Sequence, residues 1–158
     1  MSTTSKISSS FLFVLMLVAV LAPWIAPYSY QDQDTLHILA FPGSEHWLGT
    51  DRLGRDLLSR MIYGARVSLF VGVFSTVVAL IIGTIYGTFS AYLGGRIDNL
   101  MMRVVDVVFA LPDLLMIILI TVLMGRGIVG VFIALTLVSW VTIARLVRGE
   151  VLRIKEYP

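Results

Sequence analysis

At 158 residues and 17.5 kDa the chain is the size of a single domain. It is 58% hydrophobic and 14% charged, against roughly 45–50% and ~25% in soluble domains, and its mean hydropathy is +0.91. That surplus of apolar surface excludes a water-soluble globular fold, the net charge of +2 gives no charge-driven grip on nucleic acid, and the lack of Cys removes disulfides, thiolate metal sites and Cys nucleophiles. Two histidines, His37 and His46, are too few for an all-His metal site.

A bilayer core of ~30 Å takes ~20 apolar helical residues, so charge-free runs mark the candidate spans. The first lies between Lys6 and Asp32, with its apolar heart from Phe11 to Ala26. A cleaved signal peptide is the competing reading, but Lys6 is the sole basic residue of its n-region, and Pro23 and Pro27 crowd a cleavage site at Ala22 or Ala26. An uncleaved anchor helix is expected. Residues 27–50, with Pro27, Pro42, Gly43 and Gly49, read as irregular loop. From Arg55 to Ala65 the pattern becomes amphipathic: Leu57, Leu58, Met61, Ile62 and Ala65 share a face opposite Arg55, Ser59, Arg60 and Arg66. A helix lying in the membrane interface, or equally an elbow packed on neighbouring protein, is expected there, and Asp56 and Arg60 at i,i+4 can pair.

The second span falls within Val67–Gly95, twenty-nine residues without a charge. It carries small residues at four-residue spacing, Ser75, Ala79, Gly83, Gly87 and Ala91, a stripe that lets another helix approach closely. The third run, Val104–Met124, is interrupted by Asp106 and Asp113. A carboxylate at the centre of a span costs ~2.5–3.5 kcal/mol and normally faces protein or water. Arg103, at i−3, is offered to Asp106 as an ion-pair partner; Asp113 lies deeper, on roughly the same face, directly after the helix-kinking Pro112. Asp113 is therefore a candidate for lining a pathway or making a structural polar contact. The fourth run is Gly127–Ala144. With the N-terminus in the cytoplasm, seven Lys and Arg face inward and five, Arg52, Arg55, Arg60, Arg66 and Arg126, face outward. The basic cluster Arg145, Arg148, Arg153 and Lys155 favours both termini inside.

Asp106 and Asp113 on one helix cannot form a facing aspartyl dyad, and no serine-nucleophile elbow, metalloprotease helix or phosphate-binding loop is present. The expected product is an all-α polytopic membrane protein: four transmembrane helices plus one amphipathic interface helix, with no catalytic, cofactor-binding or metal residues. Any driving energy must come from a partner or a gradient.

The segment His46-Trp47-Leu48-Gly49-Thr50-Asp51-Arg52-Leu53-Gly54-Arg55-Asp56, followed by Ser59-Arg60 and Gly64-Ala65-Arg66-Val67-Ser68-Leu69, resembles the permease family of bacterial ABC importers for dipeptides, oligopeptides and nickel. Its signature residues are Gly49, Thr50, Asp51, Gly54, Arg55 and Asp56. The likeness continues through Gly94-Gly95-Arg96-Ile97-Asp98, Met102-Arg103 to Asp106 and Pro112, and Ser139-Trp140 to Arg148-Gly149. The resemblance implies a subunit of the inner membrane that binds no nucleotide. It would form a pathway with a second permease, be driven by two cytoplasmic ATPase subunits and receive substrate from an external binding protein. It also implies a division into an anchor and external loop (1–66) and the first part of a type I importer transmembrane domain (67–158). The family's coupling motif, E-A-A…G, and two further spans would follow the Arg148 region, Glu156-Tyr157 being the approach to them, so the chain is read as a fragment or a truncated product. Peptides are favoured over nickel as cargo; a non-transporting membrane remnant or scaffold is the alternative.

Overall fold

The computed structural model describes residues 3–125 and 127–156. Arg126 and Tyr157, which entered the orientation count and the coupling approach, lie outside the described residues. Five α-helices follow in order: α1 (Thr3–Ile25), α2 (Leu57–Leu93), α3 (Gly95–Phe109), α4 (Asp113–Met124) and α5 (Ile128–Glu156). Among the described residues there is no strand, only an isolated antiparallel bridge between Thr50 and Asp56. Helix is the dictated answer for these runs, because backbone in hydrocarbon must satisfy its own hydrogen bonds. The chain divides into two compact units, Met1–Phe70 and Val71–Pro158.

In the first unit α1 exposes Phe11, Leu12, Phe13 and Val14 and buries Ala19 and Ala22. Its 23 residues rise ~34 Å at ~1.5 Å each, enough to span. The loop that follows closes on the first turns of α2: Tyr28 N–H donates to the Ser59 hydroxyl (3.1 Å), and the Tyr30 and Tyr63 rings lie 4.9 Å apart. The amphipathic stretch is not a separate interface helix. It forms the opening turns of α2, whose 37 residues measure ~55 Å, well beyond a ~30 Å core. Nothing between Ala65 and Val67 breaks a helix, since neither Gly nor Pro nor a competing turn residue stands there.

In the second unit the third run is divided between two helices. α3 and α4 are bent by 81° at the Ala110–Pro112 break. Pro112 precedes α4 with φ −56° and ψ 128°, an extended conformation that ends one helix and starts another. Three helices are long and apolar enough to cross a membrane, or four if the bent pair counts as one.

The helix directions decide how the chain travels. Ring contacts and backbone approaches pair α2 with α5 in ascending order: Phe74 with Phe132, Gly83 with Ile143, Gly87 with Ala144, Ala91 with Lys155. α2 and α5 are thus parallel. Parallel neighbours require the intervening chain to run back along their length, and α3–α4 makes that return. α3 opposes α5, Asp98 meeting Arg148 and Asp106 meeting Arg145. The end of α4 folds tightly on the start of α5, where a Cβ on Gly130 would meet the Gly125 carbonyl oxygen at 3.1 Å.

Candidate functional site

The signature loop is built to hold itself. Asp51 accepts from the backbone N–H groups of Leu53 (2.8 Å) and Arg55 (3.0 Å) through Oδ1, while Oδ2 accepts from Arg55 Nε (2.9 Å) and from Arg60. Thr50 N–H donates to the Ala40 carbonyl (3.1 Å), and the Thr50 hydroxyl bonds the His37 carbonyl. Gly49 and Gly54 have φ of 77° and 71°, and a Cβ there would stand 2.3 Å from the Ala40 oxygen and 2.0 Å from the Asp34 oxygen. Only glycine fits both the left-handed backbone and the close approach.

Asp56 does not pair with Arg60. Its carboxylate caps α2, accepting from Ser59 N–H (2.7 Å), and takes a second bond from His46 Nδ1 (3.1 Å). Arg60 instead joins Arg55 on Asp51. The i,i+4 pair is lost because Asp56 stands before the first helical turn, where unsatisfied N–H groups compete for its oxygens.

Burial works to raise the Asp51 carboxyl, but the Arg55 side chain and the N–H groups of Arg55 and Leu53 outweigh it and hold it well below the usual carboxylate range. A lowered folded-state value stabilises the loop above the unfolded value and loses that contribution as pH falls through the folded one. Hydrogen-exchange protection of the 50–56 turn should therefore exceed that of Asp51→Asn by a constant margin from pH 7 to 5. The margin should shrink only below ~pH 4, the ordinary carboxylate range.

In the second unit, Ser75, Ala79, Gly83, Gly87 and Ala91 are all buried. A Cβ on Gly83 would meet the Trp140 oxygen at 2.8 Å and the Ile143 side chain at 2.7 Å; one on Gly87 would meet the Ala144 oxygen at 2.4 Å. The helix that approaches these two glycines is α5 of the same chain. Beside the seam, the Tyr86 and Trp140 rings meet edge-on at 5.0 Å, and the Tyr86 hydroxyl donates to the Met101 carbonyl on α3 (2.9 Å).

Polar contacts tie this seam to α3. Arg148 donates from Nε and Nη2 to the two Asp98 oxygens, each at 2.6 Å, and the Ser90 hydroxyl donates to the same carboxylate at 2.5 Å. The Asp98 side chain is 9% exposed. At the end of α2, Lys155 Nζ donates to the carbonyls of Ala91 (3.1 Å) and Tyr92 (3.2 Å), a cation on a helix C-terminus. Asp106 meets Arg145 at 2.6 Å, and that guanidinium lies 4.2 Å from the Phe109 ring centre. Arg103, expected to pair with Asp106, makes no ion pair among the described residues. Arg145 reaches Asp106 from the neighbouring helix and adds the ring contact, which a residue on the same helix face does not supply. Asp113 is not on a common face with Asp106, because the bend separates them. It is exposed and opens α4, where a carboxylate meets the positive end of the helix dipole.

Sequence reasoning missed Ser90, Asp98 and Lys155 as a group. Asp98 and Arg148 are separated by fifty positions, and one sequence carries no signal linking residues so far apart.

Residues 79–157, half of the chain, match the family described as binding-protein-dependent transport system inner membrane component, and residues 3–42 match the N-terminal TM domain of oligopeptide transport permease C. The chain belongs to the binding-protein-dependent permease family. Over 156 residues it is 46% identical to the dipeptide transport system permease protein of Bacillus subtilis (strain 168), covering 97% of this chain and 49% of that protein. The oligopeptide transport system permease protein of the same organism is 43% identical over 142 residues, 90% of this chain and 47% of that protein. The glutathione transport system permease protein of Pectobacterium atrosepticum is 43% identical over 150 residues, 92% and 49% respectively. The chain spans about half the length of the curated relatives it matches. Membership makes it a multi-pass component of an inner membrane, and residues 79–93 of α2, together with α3 and α5, lie within the matched region.

Proposed function

We propose that this chain is the pathway-forming portion of a permease subunit in an ATP-driven importer of peptides, acting with a second permease, two cytoplasmic ATPases and an external binding protein. The observation that carries this reading is the alignment of permeases named for dipeptide and oligopeptide transport over at least nine-tenths of the chain. The geometry supports it: three helices clamped by buried polar contacts form a block able to move as a unit, and a broken helix beside that block has the form that transport pathways use. Asp113, at the head of α4, is the candidate polar residue of that pathway, with Asp106 and Arg103 nearer the membrane boundary.

The parallel run of α2 and α5 supports both termini on the same side, and the basic cluster Arg145, Arg148, Arg153 and Lys155 favours the cytoplasmic one: α1 crosses outward, α2 inward, α3–α4 outward and α5 inward. The external loop then carries Arg52, Arg55, Arg60 and Arg66 against the positive-inside tendency. Acidic residues contribute little to that tendency, so the loop opposes the placement, and the basic cluster after α5's span decides for it. Reporter fusions after Gly43 and after Lys155 test the topology; activity of a cytoplasmic reporter at Gly43 would reject it.

Uptake of labelled dipeptide by cells carrying the whole importer tests the function. Uptake should require the subunit, and Asp113→Asn should lower it several-fold with unchanged amounts of subunit in the membrane. Equal uptake by Asp113→Asn would leave Asp113 a structural residue; uptake independent of the subunit would reject the peptide reading.

A further inference from the structure

The transport reading makes no use of two imidazoles and a carboxylate that the α1–α2 loop brings together. Asp34 Oδ2 lies 2.7 Å from His37 Nδ1 and 4.0 Å from His46 Nε2. One ligand-capable atom from each of the three residues falls within 4.8 Å of the other two.

The roles of the individual atoms are set by their neighbours. Asp34 Oδ1 is occupied, accepting from Leu36 N–H at 2.9 Å, which turns Oδ2 toward the imidazoles. His46 Nδ1 is 3.1 Å from Asp56 Oδ1. A carboxylate only accepts, so Nδ1 carries a proton, and Nε2 is the nitrogen left to meet an ion beside Asp34. The 4.0 Å between Nε2 and Asp34 Oδ2 is too wide for a hydrogen bond and leaves room for a cation to be ligated by both.

His37 Nδ1 is already hydrogen-bonded to Asp34 Oδ2 at 2.7 Å, so an ion would take the place of that proton, and its Nε2 lies 3.8 Å from Glu45 Oε2. The His46–Asp56 contact matches the outer-carboxylate pattern by which proteins orient metal-binding histidines. The backbone holds the three residues in place. Asp34 N–H donates to the Gly54 carbonyl (3.0 Å), His37 N–H to the Asp34 carbonyl (3.2 Å), and the His46 carbonyl accepts from Gly43 and Gly49 N–H, both at 2.9 Å. His46 is the rigid member, 8% exposed and 4.9 Å from the Tyr28 ring; the His37 and Asp34 side chains, 46% and 39% exposed, have room to close on an ion and leave a position open to water.

We propose that Asp34, His37 and His46 form a binding site for a divalent transition-metal ion in the α1–α2 loop. Two nitrogens and one oxygen suit the zinc–nickel class, while calcium and magnesium prefer all-oxygen sets. Bound metal would link Asp34 to His46 and brace the residues between them.

The test uses the chain purified in detergent without a polyhistidine tag, stripped with chelator and dialysed against zinc chloride or, separately, calcium chloride. The expected result is about one zinc per chain with no comparable calcium, and zinc-edge X-ray absorption showing two imidazoles at ~2.0–2.1 Å. His37→Ala and Asp34→Asn, whose side chains are partly exposed, should each weaken zinc binding by at least the roughly 10–100-fold seen when outer partners are lost. Asp32→Asn, in the same loop but outside the cluster, should leave it unchanged. Zinc retention that survives His37→Ala, equal weakening by Asp32→Asn, or absence of stoichiometric zinc would each overturn the site.

Discussion

Arg148→Ala should destabilise the α2–α3–α5 block by about 3–5 kcal/mol, the usual cost of stripping one partner from a buried ion pair. The Asp98 carboxylate is almost fully enclosed and accepts three bonds, two of them from Arg148. Without the guanidinium it keeps only the Ser90 hydroxyl, and its charge has no counter-ion within bonding distance. Asp98→Leu should cost less than Arg148→Ala, because Arg148 is 29% exposed and can turn its charge toward water. The double variant Asp98→Leu/Arg148→Met should recover much of the loss, since apolar replacement of both partners removes the desolvation penalty together with the attraction. Thermal unfolding in detergent, read as a double-mutant cycle, checks this. Additive single effects would show that the two side chains act independently despite their 2.6 Å contacts.

Gly87→Leu should separate α2 from α5. The colliding atoms are backbone: the added Cβ would lie 2.4 Å from the Ala144 oxygen and 3.1 Å from the Arg148 nitrogen. No side-chain rotamer relieves that contact, so the helices must move apart. Overpacking usually costs about 1–3 kcal/mol. Here the displacement also lifts Arg148 away from Asp98, which should carry the effect beyond the upper end of that range. Gly87→Ala should already be measurably destabilising. Gly72→Ala, about four turns earlier on α2 with nothing within 4 Å of its added Cβ, should be neutral or stabilise by roughly 0.5–1 kcal/mol through helix propensity. Melting temperatures of the three variants check the order; equal behaviour at positions 72 and 87 would remove the close approach as the cause.

The helices were legible because hydrocarbon leaves the backbone so few alternatives, and the break at Pro112 because proline cannot complete the preceding turn. The small residues from Ser75 to Ala91 announced a close approach, yet their four-residue spacing carries no information about which helix approaches. That choice depends on Trp140, Ile143 and Ala144, far along the chain. Where local rules were applied to charges they misassigned partners: Asp56 to Arg60 and Asp106 to Arg103 are both plausible on an isolated helix. A capping demand in one case, and a guanidinium arriving from α5 in the other, prevailed. The union of α2's opening turns with its span was missed for the opposite reason, since a change in polarity along a helix alters its surroundings without interrupting its hydrogen bonds. Glycines 49 and 54 could be read only as parts of a signature. Their necessity became physical once the Ala40 and Asp34 carbonyls were seen against them.

The parallel pairing of α2 with α5 has a consequence for biogenesis. The guanidinium that neutralises Asp98 is fifty positions downstream. At about 5–20 residues per second the ribosome needs roughly 3–10 s to reach it. Throughout that interval the nascent α2 presents its glycine groove, and α3 its unpaired Asp98, to whatever surrounds the translocation channel. Folding of this region is therefore gated by elongation, and a ribosomal pause before codon 148 would prolong the window in which quality-control proteases or insertion factors can engage it.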